Sequence, residues 1–293
     1  MNITRTSFAT RARTWVLIAG LSALLVGFGG LIGGSSGIML FVVIAIAMNF
    51  FMYWFSAKLA LKASRAKPLS REEAPELYQD IEELTGKAGI PMPTVHLIPS
   101  DQPNAFATGR NPKHSAVAVT QGLLQNLPRD QVRGVIAHEL AHVANRDVLV
   151  MTIAAMIGAA ITAIAHILQF SMLFGGGDDD DNPLGIVGSL AAIIVAPIAA
   201  MLLQLGVSRQ REYLADATAA KYLGEGRPLA SALESLKRGV EAVPMNVNPA
   251  TASLYIANPL RKVGMSALFS THPPMDERIR RIRALDAANG IHY

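Results

Sequence analysis

The sequence predicts a mainly α-helical membrane protein, with four transmembrane helices in two hairpins and a smaller α+β domain outside the bilayer. Three observations support this fold class. Hydrophobic residues make up 51% of the 293 residues and charged residues only 16%. This composition is more apolar than that of an ordinary soluble protein. Residues 14–57 contain no Asp, Glu, Lys or Arg. Two more uncharged segments cover 148–177 and 182–208.

The first uncharged segment is long enough for two spans, because one spanning helix needs about 20 apolar residues. The run Gly33-Gly34-Ser35-Ser36-Gly37 interrupts it, so we place the spans near 14–33 and 37–57. A cleaved signal peptide is the competing interpretation of the first span. Its apolar run exceeds the ~7–15 residues of a signal core and no cleavage site follows, so we expect the span to be retained.

The second pair of spans is expected near 148–173 and 185–207, on either side of a glycine-rich loop that holds Asp178 to Asp181. Four adjacent aspartates in such a loop favour a solvated turn over a cation site.

Basic residues near the span ends predict the orientation, because they concentrate on the cytoplasmic side. They precede the first span and follow the second, and the turn between has none (Arg5, Arg11, Arg13; Lys58, Lys62, Arg65, Lys67). Both termini and both soluble segments are therefore expected in the cytoplasm. The predicted organisation is a hairpin at 1–57, a soluble segment at 58–147, a hairpin at 148–207 and a soluble segment at 208–293.

A His-Glu-x-x-His motif occupies residues 138–142. Residues four apart share one helical face, so His138 and His142 can bind one metal ion while Glu139 points into the same cleft. Pro128 suits the first turn of a helix, and apolar residues then recur at spacings of three and four (Val132, Val135, Ile136, Leu140, Val143). This pattern predicts a packed helix; the alternative is a surface helix with two solvated histidines.

A catalytic zinc ion takes three protein ligands and leaves one position open, so a third ligand is needed. Glu212 and Asp216 lie four residues apart in a charged segment after the last predicted span. In thermolysin-like enzymes such a pair supplies a metal ligand and a carboxylate that orients a ligand imidazole. The alternative is an exposed helix with ion pairs such as Arg209 to Glu212. The chain has no cysteine, which leaves His and carboxylate ligands.

The soluble segments predict helices over 71–88, 227–241 and 274–287, a helix through Glu212 that ends before Gly224, and strands over 94–98 and 115–120. Asn104, Ala105 and Phe106 belong to a candidate edge strand, 104–108, that would hold substrate by strand addition. An ordinary hairpin edge fits equally well. His272 precedes Pro273-Pro274 and is a candidate donor to a developing oxyanion; a capping or core histidine is the alternative. No clustered basic and aromatic surface indicates nucleic-acid binding, and no pattern indicates an oligomeric state.

Four motifs together resemble the HtpX family, bacterial membrane-bound zinc metalloproteases related to the prenyl-protein endoproteases. They are Asn104-Ala-Phe-Ala-Thr-Gly109, His138 to His142 with Asn145 and Asp147, Ser208 to Asp216, and Thr271-His-Pro-Pro274 with Arg278. The resemblance implies a zincin-like domain with Zn²⁺ on His138, His142 and Glu212 and with Glu139 as the base. It also implies that Asn104 and His272 border the substrate.

By the same resemblance, the enzyme would degrade misfolded or damaged membrane proteins under stress in the bacterial inner membrane, with the lipid bilayer as its other partner. Two alternatives stay open: a membrane quality-control scaffold with a structural zinc, and a zinc hydrolase of a lipid-like substrate.

Overall fold

The computed structural model describes residues 3–156, 209–245, 247, 251–259 and 273–291. Most of the second predicted hairpin, 157–208, lies outside the described residues, together with the aspartate loop. His272 lies outside them as well.

The first helix, α1, spans Ile3–Ala63 and is broken at Gly34, whose φ of 55° and ψ of −136° are not helical. The two halves lie side by side, since the Asn49 Nδ2 donates to Ser22 Oγ at 2.8 Å. Gly29 and Gly37 lie at this contact, where a Cβ on Gly37 would come within 2.0 Å of the Gly29 carbonyl oxygen. Glycine therefore allows the two backbones to touch just beside the turn.

The second half of α1 has the length and composition of a membrane span. Residues Gly33–Ala63 form 31 residues of helix with a mean hydropathy of 2.2, and only 6% of the most apolar stretch is buried. Among the described residues this is the one helix that meets both criteria. Its exposed apolar side chains suit a hydrocarbon environment, so this helix is a candidate membrane span; the four-span arrangement stays a prediction.

The soluble part combines a four-stranded sheet with several helices. The strands are β1 (Lys67–Pro68), β2 (Thr94–Ile98), β3 (Ala105–Asn111) and β4 (His114–Thr120). The helices after α1 are α2 (Pro75–Ala88), α3 (Gln121–Asn126), α4 (Arg129–Asn145), α5 (described over 148–156), α6 (Arg209–Leu223), α7 (Arg227–Ala242) and α8 (Met275–Ala288), with a 3₁₀ turn at Thr251–Leu254.

The strands and helices predicted for segments 58–147 and 208–293 are confirmed with small shifts at their ends. The largest shift is in α2, which begins at Pro75 instead of residue 71. A proline disfavours helical conformation in the residue before it, and Ala74 accordingly has a φ of −143° and a ψ of 62°. Gly89 ends α2 as predicted, with a left-handed φ of 64°.

The strand order is β1-β2-β4-β3, with β2 parallel to β4 and the other two pairs antiparallel. Alternate side chains point to opposite faces of a sheet, and each face here has its own core. Ala105, Ala107 and Val117 pack into the core that contains α2, α4 and α7. Phe106 and Ala118 pack with Ala60 of α1 and Met151 of α5 on the other face. The sheet therefore lies between α4 and the apolar helices.

Helix α4 is at the centre of the soluble part and contacts α2, α6, α7 and β3. Its approach to α7 is close at Gly134, where a Cβ would lie 2.7 Å from the Leu229 backbone nitrogen. This packing fixes the position of α4, which carries the His-Glu-x-x-His motif.

Candidate metal centre

His138, His142 and Glu212 converge on one buried point, each with 2% or less of its surface exposed. The two histidines lie one turn apart on α4 with their rings edge to face, and their Nε2 atoms are 3.1 Å apart. Glu212, on α6, reaches between them. One carboxylate oxygen lies 3.6 Å from the His138 Nε2 and the other 3.4 Å from the His142 Nε2.

These spacings fit a zinc ion. Zinc lies about 2.0–2.1 Å from histidine nitrogen and carboxylate oxygen, so two ligands of a tetrahedral site are about 3.3–3.4 Å apart. The three distances of 3.1, 3.4 and 3.6 Å lie around that value. Two imidazoles and one carboxylate are a donor set that zinc accepts in catalytic sites.

A separate carboxylate orients each histidine. Asp216, one turn after Glu212 on α6, lies 3.0 Å from the His138 Nδ1. Asp147 lies 3.2 Å from the His142 Nδ1. A carboxylate on Nδ1 fixes the tautomer and directs Nε2 to the metal. Asp216 contacts the imidazole of His138, as its predicted role requires, and that role stays a prediction; the sequence analysis assigned no role to Asp147.

Arg278 is the second residue whose role the sequence analysis did not identify. Its side chain is fully buried, with 0% exposed, and comes from α8. It donates to both oxygens of Asp216 at 2.7 and 2.9 Å and to the Ile256 carbonyl oxygen at 3.2 Å. It also lies 3.4 Å from a Glu212 oxygen. The positive charge of Arg278 therefore compensates the buried carboxylates of Asp216 and Glu212.

The two histidines have opposite pKa shifts. Burial, helped by the positive charge of Arg278, lowers the pKa of His138 to about 4, so His138 is neutral at neutral pH, as a metal ligand must be. Burial also acts to lower the pKa of His142, but the Asp147 and Glu212 carboxylates outweigh it and raise the pKa above its usual value.

Glu139, the predicted base, directly follows His138 on α4 and is 3% exposed. Burial acts to lower the pKa of Arg278, but the negative charges of Asp216, Glu212 and Glu139 outweigh it and raise that pKa. The Glu139 carboxylate is therefore close enough to interact electrostatically with the Arg278 guanidinium. Glu139 belongs to the same buried, charged cluster as the metal-binding residues.

Ala105 and Phe106 begin β3, an edge strand of the described sheet, and Asn104 directly precedes it. All three are fully buried. The Asn104 Nδ2 donates to the Ala257 carbonyl oxygen at 2.7 Å, and its Oδ1 accepts from the Ala257 nitrogen at 3.2 Å. The Ile256 nitrogen also donates to the Ala105 carbonyl oxygen at 3.0 Å. Residues 256–257 thus pair with the first part of the β3 edge, and the Asn104 side chain holds these two residues in place.

A helix with His-Glu-x-x-His, a glutamate from a second helix and an aspartate behind each histidine define a metalloprotease site. Comparison with known proteins agrees with this class. The model of peptidase family M48 matches residues 71–286, and the chain belongs to that family.

The most similar relatives include "Protease HtpX homolog" proteins. That of Pelotomaculum thermopropionicum is 51% identical over 275 residues, which cover 93% of this chain and 98% of the relative. That of Pyrococcus furiosus is 50% identical over 282 residues, which cover 96% and 98%. The crystal structure of S. mikatae Ste24p shares the fold, with a TM-score of 0.51 at 21% identity over 95% of this chain and 67% of that one.

Proposed function

We propose that this chain is a zinc endopeptidase of the plasma membrane that cleaves misfolded or damaged membrane proteins at the cytoplasmic face. The observation that carries the proposal is the buried set of His138, His142 and Glu212, with one carboxylate behind each histidine. Within the part of the chain that the structure describes, this set supplies three protein donors, and a three-donor zinc site leaves a position for water or substrate. A purely structural zinc site would be closed by four.

The proposed chemistry assigns one duty to each residue. His138, His142 and Glu212 would hold the zinc ion, which when bound supplies the Lewis acidity that makes water nucleophilic near neutral pH. Glu139 would accept the proton of the attacking water and pass it to the departing amine. His272 is proposed as a donor to the developing oxyanion.

Substrate would bind as an extra strand along β3, because main-chain pairing holds an extended peptide with little dependence on its sequence. Ile256 already pairs with Ala105, so the proposal places substrate beside the later part of β3. The Asn104 side chain would act indirectly by holding 256–257 in place.

The membrane location favours membrane-protein substrates. The sheet packs against Ala60 near the end of the apolar helix and against Met151 of α5. This packing supports a peptidase domain directly beside the proposed spans, within reach of chain segments that leave the bilayer. The basic residues after Gly33–Ala63 support a cytoplasmic placement.

The test is Glu139→Gln in the full-length protein in detergent, with Glu72→Gln as a matched control on an exposed turn. We expect the Glu139 variant to keep its zinc and to cleave an unfolded membrane-protein substrate about 10²–10⁴ times more slowly. The control should retain parent activity. Cleavage by the Glu139 variant at the parent rate would refute the assignment. Hydrolysis of an acyl ester with no cleavage of any peptide would instead support the lipid-like substrate.

A further inference from the structure

The turn that joins β3 to β4 carries a feature that the peptidase chemistry does not use. We call residues 110–114 the hairpin tip. The Arg110 guanidinium lies over the Trp54 ring, 4.4 Å from its centroid, and Lys113 and His114 are exposed. A cation stacked on an indole ring is a favourable contact, and here it joins the sheet to the apolar half of α1.

Strand β3 runs beside α1 toward the bilayer. Phe106 and Thr108 share one face of the sheet, since alternate residues point the same way, and Arg110 follows them within the β-bulge between Gly109 and Asn111. Phe106 belongs to the buried cluster that contains Ala60 of α1, whereas Arg110 contacts Trp54, six residues earlier in α1. The contacts of β3 with α1 therefore shift by about 9 Å toward the apolar part of α1 between Phe106 and Arg110. The hairpin tip is the part of this hairpin that lies beside the apolar part of α1.

Trp54 lies near the end of the apolar run of α1. It precedes Lys58, the first charged residue after the apolar run, by four residues or about 6 Å of helix. Its neighbours include exposed aromatic rings, with Phe50 62% and Phe55 41% exposed. Aromatic belts of this kind mark the headgroup level of the bilayer. Arg110, stacked on Trp54, is therefore expected at that level.

The charge at this level is positive. Lys58 and Lys62 on α1 are exposed, as is Lys113 on the hairpin tip. Among the described residues, no carboxylate forms an ion pair with these lysines or with Arg110. Basic side chains at the edge of a span attract anionic lipid headgroups.

We propose that the hairpin tip, together with Trp54, binds the headgroups of anionic phospholipids on the side of the membrane that holds the peptidase domain. This contact fixes the tilt of the sheet, and with it the metal centre, relative to the bilayer. The proposal requires α1 to span the membrane, but it does not depend on peptidase activity.

The experiment uses the full chain in phosphatidylcholine and phosphatidylglycerol vesicles. The chain has two tryptophans, so Trp15→Phe leaves Trp54 as the single fluorescent donor. Energy transfer from Trp54 to dansyl-labelled phosphatidylglycerol, divided by transfer to dansyl-labelled phosphatidylcholine, measures the local preference for anionic lipid. We expect a ratio above one that falls in Arg110→Gln/Lys113→Gln, since each basic residue near an anionic surface changes the local preference by about fivefold.

The matched control is Arg238→Gln/Arg280→Gln, which removes two exposed charges from α7 and α8 and should leave the ratio unchanged. Lys113→Gln alone keeps the Arg110 contact with Trp54 and should produce part of the fall, so the proposal stays testable if β3 needs Arg110 to fold. A parent ratio of one, or a hairpin variant with the parent ratio, would overturn the proposal. So would an equal fall in the control.

Discussion

Replacement of Arg278 by methionine should destabilise the protein strongly, because it removes the cation of a buried charge pair. The change deletes both hydrogen bonds to Asp216, at 2.7 and 2.9 Å, and the bond to the Ile256 carbonyl oxygen. The Asp216 carboxylate then stays buried, with 2% exposed, beside Glu212 and without its cation. Removal of one partner of a buried pair costs about 3–5 kcal/mol.

The assay is thermal unfolding of the metal-free protein in detergent, followed by circular dichroism. A loss of that size lowers the melting temperature by roughly 6–20 °C in a protein of this length. Arg278→Lys keeps the charge but not the two parallel hydrogen bonds, so its loss should be smaller. In Arg278→Met/Asp216→Asn no buried carboxylate is left unpaired at this position, and part of the stability should return. A methionine variant that melts with the parent, or a double variant that loses the sum of the two single changes, would refute the reasoning.

Three further predictions follow from the same contacts. Asp147→Asn should weaken zinc binding by about 10–100-fold, measured by competition with a chelator; parent affinity would exclude a role in orienting His142. The raised pKa of His142 means that zinc must displace a proton below that pKa, so zinc affinity should rise by about tenfold per pH unit as the pH increases toward it. An affinity independent of pH would contradict this. Gly134→Ala should lower the free energy of unfolding by about 1–3 kcal/mol, because its Cβ clashes with the α7 backbone. Gly86→Ala, on an open face of α2, should instead raise the free energy of unfolding by about 0.5–1 kcal/mol. Equal effects of the two changes would exclude a tight contact at Gly134.

Local signals explain what the sequence predicted well. The motif of His138 and His142 fixes its own geometry on a helix, because residues four apart share a face. Glu212 and Asp216 follow the same rule on α6. The sequence predicted helix ends correctly where a single glycine ends the helix, as at Gly89 and Gly224, which both have a positive φ.

The parts that sequence reasoning missed depend on tertiary contacts. Arg278 reaches Asp216 across 62 residues, and nothing near it in the chain indicates a buried guanidinium. Asp147 follows the end of α4, where Arg146 turns the chain with a φ of 61°, and that turn brings its carboxylate back to His142. Asn104 was expected to border the substrate, and the sequence did not indicate that its side chain donates to the carbonyl oxygen of Ala257, 153 residues away.

The most direct test of the account is the zinc content of the purified full-length protein and of its Glu212→Gln variant. We predict one zinc per chain in the parent and in a partly exposed control, Glu225→Gln, and loss of zinc in the Glu212 variant, because a neutral amide oxygen is a poor replacement for the carboxylate. A Glu212→Gln protein that keeps one zinc per chain with the parent's affinity would show that Glu212 is not a ligand, and the three-residue metal centre would be wrong.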